Sequence, residues 1–189
     1  MHVVLYSCVS FDIITGIKVK GLFRMNTRTK KIVMAALLAS LVCIATMIIK
    51  IPSPLKGYLN LGDCIVLVAG WMLSPVYGFI AAGLGSALAD IFSGYVIYAP
   101  ATFVIKGAMA LIAFYGFKML HKKLGNLSSQ IISGIVAEIA MILGYLVFES
   151  FLYGFVPSLL NVPANGVQGI AGLVIGVALI KLFEKSKLM

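Results

Sequence analysis

The chain has 189 residues, of which 61% are hydrophobic and only 11% charged, and its mean hydropathy is +1.09 with a formal net charge of +9. Soluble domains are about half apolar and about 25% charged, so this composition indicates an all-α integral membrane protein. The length suits one bundle of about six helices and excludes a separate soluble catalytic domain.

Residues 25–189 are predicted to form one six-transmembrane-helix membrane domain. The first 24 residues are moderately apolar with interspersed charges, and they are either an upstream extension before an initiator at Met25 or a short interfacial helix. Apolar runs bounded by proline, glycine or basic residues define the helices. The predicted spans cover residues 32–49, 62–73, 76–92, 101–120, 128–153 and 166–183, with loops at 51–61, 121–126 and 154–165 between them.

The basic residues predict the orientation of the bundle. Twelve of the 15 lysines and arginines lie in three groups, at 18–31, 118–123 and 181–187. The positive-inside rule places all three groups on the cytoplasmic side, which requires an even number of spans and puts both termini in the cytoplasm. Because the basic residues mark span ends and do not alternate with exposed aromatic residues, nucleic acid is not an expected partner.

With this orientation, the polar residues inside the apolar sequence gather in the outer half of the bundle. Polar groups within a bilayer usually face a protein interior or a water-filled pocket, so we expect a site for a small polar solute there. Only Glu138 approaches the midplane. The predicted substrate-binding residues are Asn60, Asp63, Asp90, Tyr95, Tyr98, Thr102, Lys106, Glu149 and Gln168.

Each of these residues also has a structural interpretation. Asp63 is suited to cap the second helix, Asp90 to pair with Lys106, and Glu149 to reach interfacial water. The tyrosines are suited to an interfacial aromatic belt. The clustering of polar residues on one side is therefore stronger evidence for a site than any single residue.

No sequence motif for catalysis or metal binding is found. The chain lacks the glycine-rich phosphate loop with its lysine, zinc-type histidine and cysteine spacings and any nucleophilic triad. Its two histidines, His2 and His121, lie in a tail and in a predicted cytoplasmic loop. We therefore expect no enzyme activity, no ATP hydrolysis by this chain, no metal and no cofactor.

Four segments carry a resemblance to a known family. They are Ala35-xxx-Ala39, Asn60-Leu-Gly-Asp63, Gly85-Ser-Ala-Leu-Ala-Asp90 and Tyr98-Ala-Pro-Ala-Thr102-xxx-Lys106-Gly107. Over residues 25–185 the chain resembles the substrate-binding S components of energy-coupling factor (ECF) vitamin transporters, most closely the riboflavin, hydroxymethylpyrimidine and pyridoxine branch.

The resemblance implies partners and a ligand site. An S component binds its vitamin at the outer side, using the loop between helices 1 and 2 and the outer ends of helices 4 to 6. It associates with a transmembrane coupling (T) subunit and two cytosolic ATPase subunits in the bacterial plasma membrane. Ala35 and Ala39 would contact the T subunit, whereas the small-xxx-small pattern alone is equally suited to packing within the bundle. Tyr95 or Tyr98 could stack on a heteroaromatic ring.

Two other functions remain open from the residues alone. One is an autonomous secondary carrier that uses Glu138 and Glu149 as proton or cation sites. The other is a membrane-embedded enzyme or an assembly factor without a ligand.

Overall fold

The computed structural model describes residues 27–52 and 58–185, and within these ranges the side chains of Pro52 and residues 183–185 are not described. The expectations for residues 1–24 and for the basic residues after 185 lie outside the described residues. The described chain is almost entirely helical. Its elements are α1 (Thr27–Ile48), β1 (Ile51–Pro52), β2 (Tyr58–Leu59), α2 (Gly62–Met72), α3 (Pro75–Phe92), α4 (Ala99–Tyr153), α5 (Phe155–Ser158), a 3₁₀ turn (Leu159–Asn161) and α6 (Val162–Lys185).

Helix α2 lies at the centre of the bundle. Nine of its eleven residues are buried, and it packs against α1, α3, α4 and α6. Close packing requires small residues here: a Cβ at Gly70 would lie 2.7 Å from the Ala110 carbonyl oxygen of α4. At 1.5 Å per residue α2 is only about 16 Å long, too short to cross a hydrocarbon core of about 30 Å. The second span is therefore a short buried helix whose start lies inside the protein.

Helix α4 consists of two arms that meet at Gly125. Gly125 has φ 75° and ψ 172°, a conformation that glycine adopts easily and other residues rarely do. The arms then run side by side, since the Tyr145 hydroxyl donates to Thr102 Oγ1 at 3.1 Å. The predicted loop at 121–126 is wrong, because the chain is helical up to the single break at Gly125.

The connection from α4 to α6 is also shorter and more ordered than predicted. Instead of a loop at 154–165, Gly154 turns the chain at φ 88° into α5 and the 3₁₀ turn, and α6 begins at Val162. Pro163 lies in the first turn of α6, where the missing N–H is tolerated. As a result, Asn161 in the 3₁₀ turn and Asn165 and Gln168 in the first turns of α6 all line the same polar cavity, which lies at this end of the bundle.

Helix α1 packs along α3 through small residues. A Cβ at Gly85 of α3 would collide with the Ala39 carbonyl and with Val42 of α1. Ala35 is buried in the hydrophobic core, and Ala39 packs against that core. Ala35-xxx-Ala39 therefore packs against neighbouring helices of the bundle, with Ala35 buried and Ala39 partly exposed, and contact of these residues with a T subunit stays a prediction.

The outer surface of the bundle is suited to lipid. Four of the described helices, with the short α5 and the turn counted as part of the last, are long and apolar enough to cross a membrane. Large apolar side chains such as Ile48, Phe92 and Phe151 are 73%, 65% and 87% exposed. So many exposed apolar side chains would be unfavourable on a soluble monomer, whereas in a bilayer they contact lipid acyl chains.

Candidate ligand-binding site

A buried ion pair joins α2 to the first arm of α4. Lys106 Nζ bonds Asp63 Oδ1, and the two side chains are 3% and 0% exposed. Asp63 Oδ2 accepts a 2.7 Å hydrogen bond from Gln168 Nε2 of α6. One carboxylate thus holds three helices together. Two structural interpretations from the sequence are wrong: Asp63 does not cap α2, whose N-cap residue is Leu61, and Lys106 pairs with Asp63 instead of Asp90.

The residues before α2 fix this ion pair in place. Asn60 Oδ1 accepts the Gly62 backbone N–H at 2.9 Å, and the Asn60 backbone N–H donates to Gln168 Oε1 at 2.9 Å. Strands β1 and β2 pair antiparallel and form, with the following Asn60, a hairpin before α2. Gln168 therefore bonds this hairpin with its carbonyl and the ion pair with its amide. Gly172, one turn further along α6, allows this approach, because a Cβ there would lie 2.7 Å from the Asp63 Cβ.

Asp90, near the end of α3, binds the hairpin strand β2. The Tyr58 hydroxyl donates to Asp90 Oδ1 at 2.7 Å, and the Tyr58 ring lies 4.8 Å from the Tyr95 ring, centroid to centroid. Burial, with the nearby Asp90 carboxylate, raises the pKa of the Tyr58 phenol, so Tyr58 stays a hydrogen-bond donor at neutral pH. The hairpin is thus tied to α3 at Asp90 and to α6 at Gln168.

Glu149 lies on the second arm of α4, facing the start of α6. Its Oε1 accepts a 2.8 Å bond from Asn161 Nδ2 and lies 3.5 Å from the Tyr98 hydroxyl. Its Oε2 is buried and has no hydrogen-bond partner among the described residues. The residue is only 3% exposed, so this oxygen is an acceptor withdrawn from solvent.

These groups enclose a polar cavity at one end of the bundle. Its volume is about 40 Å³, enough for a few water molecules. Every lining residue carries a hydroxyl, amide or carboxylate. The lining residues are Tyr58, Asn60, Asp90, Tyr98, Thr102, Tyr145, Glu149, Asn161, Asn165 and Gln168.

The structure brings most of the predicted binding residues together. Six of the nine line the cavity: Asn60, Asp90, Tyr98, Thr102, Glu149 and Gln168. Asp63 and Lys106 lie outside its lining and are held to it through Gln168. Tyr95 supports the Tyr58 ring from behind.

Four lining residues were not among the predicted binding residues. Tyr145 could have been found from helical spacing, since it lies four residues before Glu149 and therefore on the same face. Asn161 and Asn165 share such a face with Gln168 in the same way. Tyr58 gives no periodic signal, because its position depends on the hairpin and on the contact with Asp90.

Glu138 lies away from the cavity, against α6. A Cβ at Gly169 would lie 3.0 Å from Glu138 Oε2, and one at Gly172 would lie 3.1 Å from its Oε1. Both oxygens are buried and have no hydrogen-bond partner among the described residues. The side chain does not line the cavity.

The cavity and the basic group at 118–123 lie at opposite ends of the bundle. The first arm of α4 starts beside the cavity, directly after Tyr98, and reaches Gly125 about 39 Å further on, at 1.5 Å per residue. Lys118, Lys122 and Lys123 lie near that distant end. A helical membrane bundle with a polar cavity at the end away from this basic group belongs to the class of membrane proteins that bind a small solute.

Comparison with known families gives the particular family. The family model for the S component of the ECF-type riboflavin transporter matches residues 26–185, and the chain belongs to this family. The chain is therefore a subunit of a vitamin transporter and not an enzyme.

Individual proteins and solved structures are also similar to most of the chain. A Pyrococcus woesei protein described as "uncharacterized protein in gap 3′ region" is 33% identical over 145 residues, which cover 76% of this chain and 95% of the relative. A solved bacterial ECF transporter S component superposes with a TM-score of 0.67 at 23% identity, covering 84% of this chain and 97% of the other. The S component for biotin from an ECF-type ABC transporter gives 0.62 at 20% identity, covering 87% and 95%. At these identities the two structures show the shared fold.

Proposed function

We propose that this protein is the high-affinity substrate-binding subunit of an ATP-driven ECF importer and that its ligand is a small heteroaromatic vitamin or precursor, such as hydroxymethylpyrimidine, pyridoxine or riboflavin. The observation that carries the proposal is the polar cavity lined by three tyrosines and by hydroxyl, amide and carboxylate groups. Such a lining offers aromatic faces to a flat ring and hydrogen-bonding partners to its hydroxyls and nitrogens.

Ligand entry requires the hairpin to move. Pockets for small molecules have volumes of about 300–1,000 Å³, and this cavity has about 40 Å³. Among the described residues, hydrogen bonds hold the hairpin against the cavity from Tyr58 to Asp90 and from Asn60 to Gln168. A displacement of Tyr58 and Asn60 would enlarge the cavity and expose Asp90 and Gln168 to the ligand.

The proposed subunit has a defined orientation in the membrane and works with partner subunits. The chain passes between the two faces of the membrane six times, with both termini in the cytoplasm. The arms of α4 make two of these passes, and α2, which is too short to cross alone, makes one together with the residues that flank it. The cavity opens to the outside, since the basic groups lie at the other end. A T subunit and two cytosolic ATPases complete the transporter, because this chain has no phosphate loop.

The first test is identification of the ligand. Small molecules released from the purified full chain are analysed by mass spectrometry, and the dissociation constant of each candidate vitamin is measured by titration calorimetry. We expect one vitamin to bind stoichiometrically and Asp90→Asn to weaken it about tenfold or more, because the charged acceptor is lost.

Reconstituted uptake then separates the transporter types. We expect vesicles containing this chain alone to accumulate no vitamin, and uptake to require the T subunit and the ATPases. Uptake by the chain alone under a proton gradient would contradict the proposal and favour a secondary carrier.

A further inference from the structure

The charged residues that line the cavity are all acidic. The lining contains Asp90 and Glu149 and, among the described residues, no lysine, arginine or histidine. The buried cation beneath it, Lys106, is already bonded to Asp63. Lys50 lies at the hairpin, with its Nζ 5.8 Å from the Tyr58 ring centroid. Inside the cavity itself, an anionic ligand would therefore meet carboxylates without a balancing cation.

Glu149 lines the cavity and has one acceptor oxygen without a donor among the described residues. Asn161 and Tyr98 approach Oε1, while Oε2 has no hydrogen-bond partner among the described residues, although the side chain is 97% buried. A buried acceptor without a donor destabilises the protein, and more so when it is charged. A ligand that brings an N–H donor to this oxygen recovers that energy, whereas a phosphate or carboxylate group does not.

The aromatic part of the lining favours the same chemistry. Tyr58, Tyr98 and Tyr145 surround the cavity, and tyrosine rings attract cationic and electron-poor rings through their faces. The Tyr145 ring already contacts a cation on one side, with Lys106 Nζ at 5.4 Å from its centroid.

We infer that the ligand is a heteroaromatic molecule that carries an amino group and no phosphate or carboxylate, and that the N–H of this amino group donates to Glu149 Oε2. The inference rests on the proposed vitamin-binding function and narrows its substrate class. Hydroxymethylpyrimidine, an aminopyrimidine, has this chemistry, as does pyridoxamine. Vitamins with an ionised carboxylate, such as biotin, do not.

Matched ligand pairs test the inference on the unmodified protein. The dissociation constants of pyridoxamine, pyridoxine and pyridoxamine phosphate are measured on the purified full chain, together with hydroxymethylpyrimidine and its phosphate, riboflavin and its phosphate, and biotin. For each scaffold that binds, we expect the phosphate to weaken binding at least about tenfold, and pyridoxamine to bind about tenfold or more tightly than pyridoxine. Biotin is expected not to bind.

Two matched variants test the role of Glu149. Glu149→Gln is expected to weaken the amino-bearing ligands by about 10- to 150-fold, the value of a hydrogen bond to a charged group, and to change pyridoxine binding by less than about threefold. Glu138→Gln removes an equally buried carboxylate outside the cavity lining and is expected to leave all constants within about threefold.

The outcomes distinguish the two proposals. Tight binding of a phosphorylated vitamin or of biotin, or equal losses in the two variants, overturns the inference and leaves vitamin binding in place. Binding of no scaffold by the unmodified protein overturns the proposed vitamin-binding function, and the inference with it.

Discussion

The buried ion pair between Asp63 and Lys106 should make Lys106→Met one of the most damaging single substitutions in the bundle. Asp63 is 0% exposed, and without Lys106 its one remaining side-chain donor among the described residues is Gln168. Removing one partner of a buried pair costs about 3–5 kcal/mol, because the other charge stays buried without compensation. For a chain of this size, about 2–4 °C are lost per kcal/mol, so the unfolding midpoint should fall by about 6–20 °C.

The chain offers a convenient assay for this prediction. Its single tryptophan, Trp71, lies in the core and donates to Ser133 Oγ at 3.1 Å, so unfolding in detergent micelles can be followed by its fluorescence. The control Lys118→Met removes an exposed lysine and should shift the midpoint by no more than about 2 °C.

A second substitution separates lost charge compensation from lost packing. Asp63→Asn combined with Lys106→Met leaves no buried charge at this point, and replacing a buried pair by neutral groups is often close to neutral. The double variant should therefore regain most of the lost midpoint. If the double variant is at least as unstable as Lys106→Met alone, Asp63 and Lys106 are not coupled through their charges, and the predicted stabilisation of the bundle by this ion pair is refuted.

Two further predictions concern the hairpin and the packing of α6. Tyr58→Phe removes the hydrogen bond from the hairpin to Asp90 on α3, which is worth about 1.5–3 kcal/mol. Ligand association measured by stopped-flow should therefore accelerate about tenfold, whereas the control Tyr115→Phe, at an exposed position, should leave the rate unchanged. An unchanged association rate in Tyr58→Phe would show that the hairpin does not limit ligand entry. Gly172→Ala places a Cβ 2.7 Å from the Cβ of Asp63 on α2 and should lower the free energy of unfolding by about 1–3 kcal/mol in a thermal unfolding assay. The control Gly166→Ala has open space around its Cβ and should be neutral or slightly stabilising. Equal effects of the two substitutions would contradict the close approach of α6 to α2.

The sequence predicted structure most reliably from its long apolar runs. Long apolar runs gave the helices of the membrane domain, because backbone polar groups in lipid must be bonded within a helix. They were less reliable at helix ends. The segment His121-Lys-Lys-Leu-Gly-Asn126 has the polar composition of a loop, yet lysine and leucine are good helix formers, and only Gly125 leaves the helical conformation.

The pairing of buried charges shows what the sequence leaves open. Asp63 and Asp90 are both plausible partners for Lys106 by depth alone. The structure selects Asp63, because the short α2 lies in the centre of the bundle and carries its first turn to the first arm of α4. Asp90 is instead bonded by Tyr58 from a hairpin that has no periodic signal in the sequence.

By itself, the sequence determined that the protein is a helical membrane bundle and that the polar residues within its spans gather near one end. Hydropathy and the positions of basic residues both report where a residue lies along the membrane normal. Only the tertiary structure decided which helix faces meet. It buried Ala35, packed the partly exposed Ala39 against the core and added Tyr145 to the cavity. It also left one oxygen of Glu149 without a donor among the described residues. Helical periodicity fixes which residues share a face, but the rotation and depth of each helix depend on packing against all the others.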